Sequence, residues 1–463
     1  MKSSRAWLER GTACISRHFL AGLTVLALLI YMFTYLQGYF GVPIRSDGTG
    51  YYAYLPSYLI YGDPSLEQNA IVQYGGEYPH STFIRRQADT GRYLSQYNMG
   101  VSLFLLPFFL IAHGVTWFMQ SLPGAPEWYA FNHPLNGYSL FYQHAAGLSN
   151  VFYFLLAIAI LKPILERNYG RSAALFSIIG IVFGTNLLNY GTGDCVSAHP
   201  STLFTISAVL WIVPHWYQDP GSRLKSLALG ILLGLLYLIR PPNILFFLIV
   251  PLYGLTRLSD VRDRLFFFWN HRASIAWAGI SLLLLLIPQV LIWKYATGRY
   301  WVNSYEGGCY GWMRPEIWTF LFSINRGMFF WFPVTLISAW GLIALYKNSR
   351  QWFWPISVTV IIFIVMMSSY FLWKNAGGFG NRYVVDIALL MSFPLAAGWR
   401  AIKRRRIRVL VLLLTAGCVC WTVYLMKLYY TREISFYGLD WPAVFDILWT
   451  RQQYLLFLLT GAS

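Results

Sequence analysis

Charge is scarce in this chain of 463 residues: 11% are Asp, Glu, Lys or Arg, only 18 are acidic, and 57% are hydrophobic. So little charge excludes a water-soluble globule of this size. Apolar stretches of roughly 20 residues recur from end to end, each long enough to cross a bilayer as a helix. The period-two alternation of a membrane barrel is also missing, so the spans are helices, which satisfy their own backbone hydrogen bonds in lipid. Cysteine is sparse, five in all, with no Cys-x-x-Cys pair and no metal-ligand spacing. No repeat of fixed period and no soluble domain at either end is visible. The fold class expected is all-α, a polytopic bundle forming one integral membrane domain over 1–463.

About eleven spans are read from the apolar runs: 18–40, 145–161, 173–190, 201–216, 227–239, 243–255, 274–293, 327–346, 352–372, 384–399 and 409–426. A further apolar run from Met99 to Gln120 contains Pro107 and His113, which suit a helix lying on the surface or dipping in and returning. Loop charge arbitrates. If that run does not cross, most of the 35 Lys and Arg, including the N-terminal group from Lys2 to Arg17 and the cluster from Arg400 to Arg408, fall on the cytoplasmic side. If it crosses, every later loop flips and that majority is lost. The expected topology has a cytoplasmic N-terminus, an outer-face insert over 41–144 with amphipathic or re-entrant helices, and an outer interfacial segment over 429–463. The first apolar run lacks a small-residue cleavage site and reads as a retained span, not a signal peptide.

The net charge of +17 does not point to nucleic acid, because the basic residues sit in short loops between apolar runs, where they anchor to anionic headgroups. On this topology Cys195 and Cys309 both face outward, either bridged or separately packed.

Chemistry-bearing residues gather in the outer segments. The stretch "RSDGTGYYAYLPSYLIYGD" puts Asp47 directly after the first span, where it acts either as a turn or cap residue or as a functional carboxylate. In "NYGTGDCVSAHPSTLF", Asp194 and His199 stand in a short outer turn; in "LIRPPN", Arg240 stands in another, either snorkelling to water or holding an anion. "FSINRGMFFWFP" adds Arg326, and "YFLWKNAGGFGNRYVVD" adds Lys374, Arg382 and Tyr383 around a Gly-rich turn, with Asp386 one helical turn beyond Arg382. Acids among cations at a membrane surface suit transfer from a lipid-linked phosphate. A carboxylate takes a proton from the acceptor hydroxyl, and cations stabilise the departing phosphate.

Together the acid of the first outer loop, "YNMGVSLFLLPFF", "TGDCVSAHPSTLF", "LIRPPN" and "WKNAGGFGNRY" resemble the GT-C superfamily of membrane glycosyltransferases, over most of the chain up to about Trp399. The resemblance implies a polyprenyl-phosphate sugar as donor, a glycan, lipid or protein acceptor, and a bacterial inner-membrane location. It maps the catalytic acid of the family's first loop onto Asp47. The family's frequent acid pair appears here as a lone Asp47, which leaves Asp194, Asp63 and Asp89 as candidates for the second acid, Asp194 being preferred by position. Divalent metal is neither required nor excluded by these residues. Catalytic roles are thus expected for Asp47 and Asp194, and substrate contacts for His199, Arg240, Arg326, Lys374, Arg382 and Tyr383. Two other readings share the cationic surface: a flippase or transporter for a lipid-linked sugar, which needs no base, and a polysaccharide polymerase or ligase, which uses a lipid-diphosphate donor. The matched inverted halves of many transporters are not visible.

Overall fold

The computed structural model describes residues 2–36, 41–124, 127–194, 196–257, 259–304, 310–311, 313–374 and 377–447. About 74% of the described residues are helical. In chain order come α1 (Lys2–Leu36), α2 (Asp47–Tyr52), α3 (Tyr54–Leu59), α4 (Glu67–Tyr74), a two-stranded antiparallel hairpin of β1 (Ile84–Arg86) and β2 (Tyr93–Ser95), α5 (Gly100–Ser121), α6 (Glu127–Asn132), α7 (Leu140–Tyr169) and α8 (Arg171–Gly184). After them come α9 (Ala198–Gln218), α10 (Arg223–Ile239), a 3-10 stretch from Pro241 to Leu248 that runs into α11 (Ile249–Leu252), α12 (Asp260–Asn270) and α13 (Arg272–Thr297). The chain then forms α14 (Ile317–Phe322), α15 (Met328–Trp331), α16 (Val334–Asn348), α17 (Arg350–Ser368), α18 (Val384–Ala401) and α19 (Arg405–Tyr430).

Among the described residues seven helices are long and apolar enough to cross a membrane: His18–Leu36, Gly100–Ser121, Leu140–Tyr169, Arg272–Thr297, Arg350–Ser368, Val384–Ala401 and Arg405–Tyr430. All but Gly100–Ser121 coincide with spans read from the sequence. The other expected spans also fall on helical segments, but shorter or more polar ones. Helix α8 has 14 residues and α16 has 15. Helix α9, with 21 residues, carries Ser201, Thr202, Thr205 and Ser207. The expected span at 243–255 is mostly 3-10 helix, opened by Pro241 and Pro242. Cys195, Cys309, Asn375, Ala376 and the tail beyond Ile447 lie outside the described residues.

The chain folds as two compact units. Unit 1 comprises Met1–Ser172, Tyr190–Gly307 and Arg350–Thr359; unit 2 comprises Ala173–Asn189, Gly308–Ser349 and Val360–Ser463. In unit 1, α7 packs on α1, α5 and α9, and α10 packs on α9 and α13. Hydroxyls join helices where apolar attraction between them is weak in lipid: Ser281 Oγ of α13 donates to the Leu227 carbonyl of α10 at 3.0 Å. The first-loop hairpin docks on the end of α13, where Arg92 donates to the Tyr295 carbonyl at 2.7 Å and stacks over its ring.

In unit 2, α18 is the central helix, with 89% of its apolar window buried against 17% for α19. Its neighbours hold it by the same device: Ser177 donates to the Ser392 carbonyl and Ser338 to the Met391 carbonyl, both at 2.6 Å. A helix that meets protein on all sides tolerates this even distribution of small and apolar residues, whereas α19 turns most of its leucines outward.

Candidate functional site

Four of the expected residues, Asp47, Asp194, His199 and Arg240, belong to unit 1, and the structure brings them to the same end of it. Between α1 and α2 the chain is fastened at two points: the Ile44 N–H donates to Gln143 Oε1 of α7 at 2.9 Å, and the Val196 N–H donates to the Pro43 carbonyl at 3.1 Å. Gly48 then meets the turn before α9 so closely that a Cβ there would lie 2.8 Å from the Val196 carbonyl oxygen. A side chain is excluded, which accounts for the glycine after the acid. Ser46 takes φ 48° and ψ −126°, the geometry of the first central residue of a type II′ turn, where glycine is at ease and serine is not. Such strain costs on the order of 1–3 kcal/mol and persists only where the surroundings enforce it. Asp47 follows, partly buried, as the first residue of α2.

The turn carrying Asp194 is fixed to α1, because the Tyr35 hydroxyl donates to the Asp194 carbonyl at 2.6 Å. His199 lies in the first turn of α9, buried at 5% exposure, edge-on to Tyr190 with ring centroids 4.9 Å apart. Arg240 caps the end of α10 with an extended backbone, forced by the two prolines that follow. Its carbonyl accepts the Asn243 N–H at 2.9 Å, and the Asn243 side chain donates to Thr202 Oγ1 of α9 at 3.1 Å. The Arg240 turn and the His199 turn are thereby held to one helix.

Helix α5 joins this end too. Its Ser102 hydroxyl donates to the Tyr51 carbonyl of α2 at 2.5 Å. A Cβ on Gly100 would fall 2.2 Å from the carbonyl carbon of Leu238, two residues before Arg240. The chain before α5 and the chain well after it meet on α2: Tyr97 packs tilted against Tyr51 with centroids 4.2 Å apart, and the Gly137 carbonyl accepts the Tyr52 hydroxyl at 2.6 Å. The chain therefore enters α5 beside the short helix α2 and returns to α2 at Gly137, although α5 has the length and apolarity of a span.

Of the other candidates for a second acid, Asp63 holds a structural post and Asp89 is exposed. Ser65 donates its N–H at 2.8 Å and its hydroxyl at 2.5 Å to Asp63, and Gln68 donates its N–H at 2.8 Å, which fastens the start of α4. Burial alone would push the Asp63 carboxyl up; the hydrogen bonds from Ser65, Gln68 and Glu67 outweigh it and hold the group below the ordinary carboxylate value. Asp89 forms a loose pair with Arg299 at 3.9 Å, both side chains 75% exposed.

The remaining expected residues belong to unit 2. Arg326 is buried at 1% exposure and donates to the Gly380 carbonyl at 2.9 Å and the Phe436 carbonyl at 2.8 Å, tying the Gly-rich turn and the segment after α19 to the approach of α15. Lys374 is ion-paired with Glu316, both half exposed. Arg382 is partly buried next to Tyr383, which is buried and opens α18, and Asp386 is buried in the first turn of that helix.

Two buried amides, Asn98 and Gln289, were passed over in the sequence. The signal available for Gln289 was a polar side chain inside the otherwise apolar run of α13; for Asn98 there was none beyond its place before a helix. Among the described residues no three His, Cys, Asp or Glu side chains gather where a metal ion would be held. No family model, no curated protein and no solved structure matches the chain.

Proposed function

We propose that this chain is a membrane glycosyltransferase that moves a sugar from a polyprenyl-phosphate donor to an acceptor on the outer, periplasmic face of a bacterial inner membrane, with Asp47 as general base. What carries the reading is the end of unit 1 where Asp47, fixed beside strained Ser46, lies among Asp194, His199 and Arg240. Backbone strain held in place by its neighbours is a mark of functional sites. The flanks of α5 that meet on α2 support keeping the whole insert on one side, as the loop charges require.

In the reaction the acceptor hydroxyl oxygen bonds to the anomeric carbon while its proton passes to the Asp47 carboxylate. The bond from that carbon to the phosphate oxygen breaks, and its electron pair leaves with the polyprenyl phosphate. Positive charge that builds at the sugar carbon is stabilised by a nearby carboxylate, for which Asp194 serves. Arg240 is a guanidinium at this end that offsets the charge of the leaving phosphate.

The deciding experiment uses the purified protein in liposomes, polyprenyl-phosphate donors labelled in the sugar, and candidate acceptors. Transfer means that label appears on an acceptor and free polyprenyl phosphate appears with it. Movement of intact donor between leaflets without cleavage, unchanged in Asp47→Asn, would instead establish the flippase.

A further inference from the structure

Helix α5 begins without a cap of its own. Its N-cap residue is Met99, which has no side-chain acceptor, so the N-terminal N–H groups of this 22-residue helix keep their partial positive charge. The polar side chains buried at this foot also present donors. Gln289 of α13, at 1% exposure, accepts the Met99 N–H at 2.8 Å through Oε1. That bond fixes which head of the amide is oxygen, and the other head, Nε2, is buried with no hydrogen-bond partner. Asn98, at 3% exposure and immediately before the N-cap, has its Nδ2 buried with no hydrogen-bond partner, and no bond of its own sets which head of that amide is nitrogen.

Burying an amide donor unpaired costs about 1–3 kcal/mol, and here two do so together at a helix N-terminus. Gln289 stands out further: α13 has only 11% of its apolar window buried, and its few buried residues are Ser274, Ser281, Gln289, Trp293 and Ala296. The one inward stripe of an otherwise outward-facing helix thus spends a position on a donor that no protein group accepts. All these groups ask for the same thing, an oxygen acceptor with negative charge. Gly100, the first residue of α5, touches Leu238, two residues before Arg240. On the other side Ser102 holds α2 at Tyr51, one helical turn, about 6 Å along the axis, from Asp47.

We infer that the foot of α5, with the Asn98 and Gln289 amides, is a binding site for a phosphate ester. If the transferase reading holds, that ester is the phosphate of the lipid-linked donor, and this inference rests on that reading for its role but not for the binding itself. Asn98 and Gln289 are binding residues; neither takes or gives a proton in the reaction.

The test measures binding of two probes to the whole protein in nanodiscs: a polyprenyl phosphate without sugar, and inorganic phosphate. Gln289→Glu and Asn98→Asp are near-isosteric; Glu still accepts the Met99 N–H, so the fold is kept while the donor becomes a repelling carboxylate. Gln289→Met, neutral and of similar volume, checks that the loss comes from the donor, and thermal midpoints confirm folding. Expected is saturable binding of the lipid phosphate that weakens about tenfold or more in Gln289→Glu and in Asn98→Asp, with an intermediate loss in Gln289→Met. Binding of inorganic phosphate alone, with the same dependence, would keep the site and make its ligand a soluble ester. Absence of binding for both probes, or unchanged affinity in both carboxylate variants, would mean that water fills the foot of α5 and overturns the proposal. Phosphate binding that depends on Gln289, with no sugar transfer from any donor, would overturn the transferase reading and leave this site standing. Asp47-dependent transfer whose KM for donor is unchanged in Gln289→Glu would do the reverse.

Discussion

The acid-bearing end of unit 1 and the basic turn of unit 2 read alike in sequence, as charge beside glycine at the mouth of a span, yet they differ physically. In unit 2 Arg326 is taken up by two backbone carbonyls and Lys374 by Glu316. In unit 1 strain is stored at Ser46, and two amide donors at the foot of α5 are buried without acceptors. The difference lies in what engages the charged groups and not in leftover donors, since Asn381 in the turn of unit 2 also has a buried Nδ2 without a hydrogen-bond partner. Charge in a sequence is therefore a poor guide to charge that a ligand can use.

The comparison breaks most easily at Asp47. Removing a general base lowers turnover about 10²- to 10⁴-fold, so Asp47→Asn, measured by single-turnover transfer with saturating donor, is expected to fall in that range while folding as the wild type does. Next in size is Arg326→Met, which takes the Arg326 donor from the buried Gly380 carbonyl and one of two donors from the Phe436 carbonyl. It is expected to cost on the order of 3 kcal/mol, seen as a lowered thermal midpoint; an unchanged midpoint would show that Arg326 is not the tie described here.

Ser46→Gly sharpens the other side. Glycine occupies that backbone region without strain, so the variant is expected to gain about 1 kcal/mol of stability, and a loss would mean that the turn is held by the serine side chain. The smallest effect is at Asp63. Its folded carboxyl titrates below the ordinary value, so the stability it contributes is complete above that ordinary value and is lost as the pH falls through the lower, folded one. Asp63→Asn should remove this acid-side dependence, read from unfolding midpoints across that range.

Much of the fold was legible because lipid imposes one rule, helices of sufficient length, and composition reports it directly. The expected spans that fall on shorter or more polar helices show where that rule runs out. At Pro241 to Leu252 an apolar run is too broken by proline to make a long α-helix, and in α9 the serines and threonines face protein, so apolar content no longer measures burial. Helix α5 shows the same limit: it has the length and apolarity of a span, and the return of Tyr97 and Gly137 to Tyr51 and Tyr52 of α2 is a meeting that composition does not report. That meeting joins Tyr97 to Gly137, a separation in sequence that periodicity does not report.

For the site, residue type told which groups have chemistry, and contact order told which of them stand together. Asp47, Asp194, His199 and Arg240 were readable because each sits beside a turn-forming glycine, serine or proline. The engagement of Arg326 with two carbonyls and the orphaned amides of Asn98 and Gln289 were not, since a partner or its absence is a property of packing between segments far apart in the chain.

The most direct test puts the two regions side by side: transfer rate per folded molecule and thermal midpoint for Asp47→Asn and Arg326→Met. The account predicts that Asp47→Asn keeps the wild-type midpoint and loses at least a hundredfold in rate, whereas Arg326→Met loses midpoint and keeps its rate per folded molecule. Wild-type turnover in Asp47→Asn would contradict it.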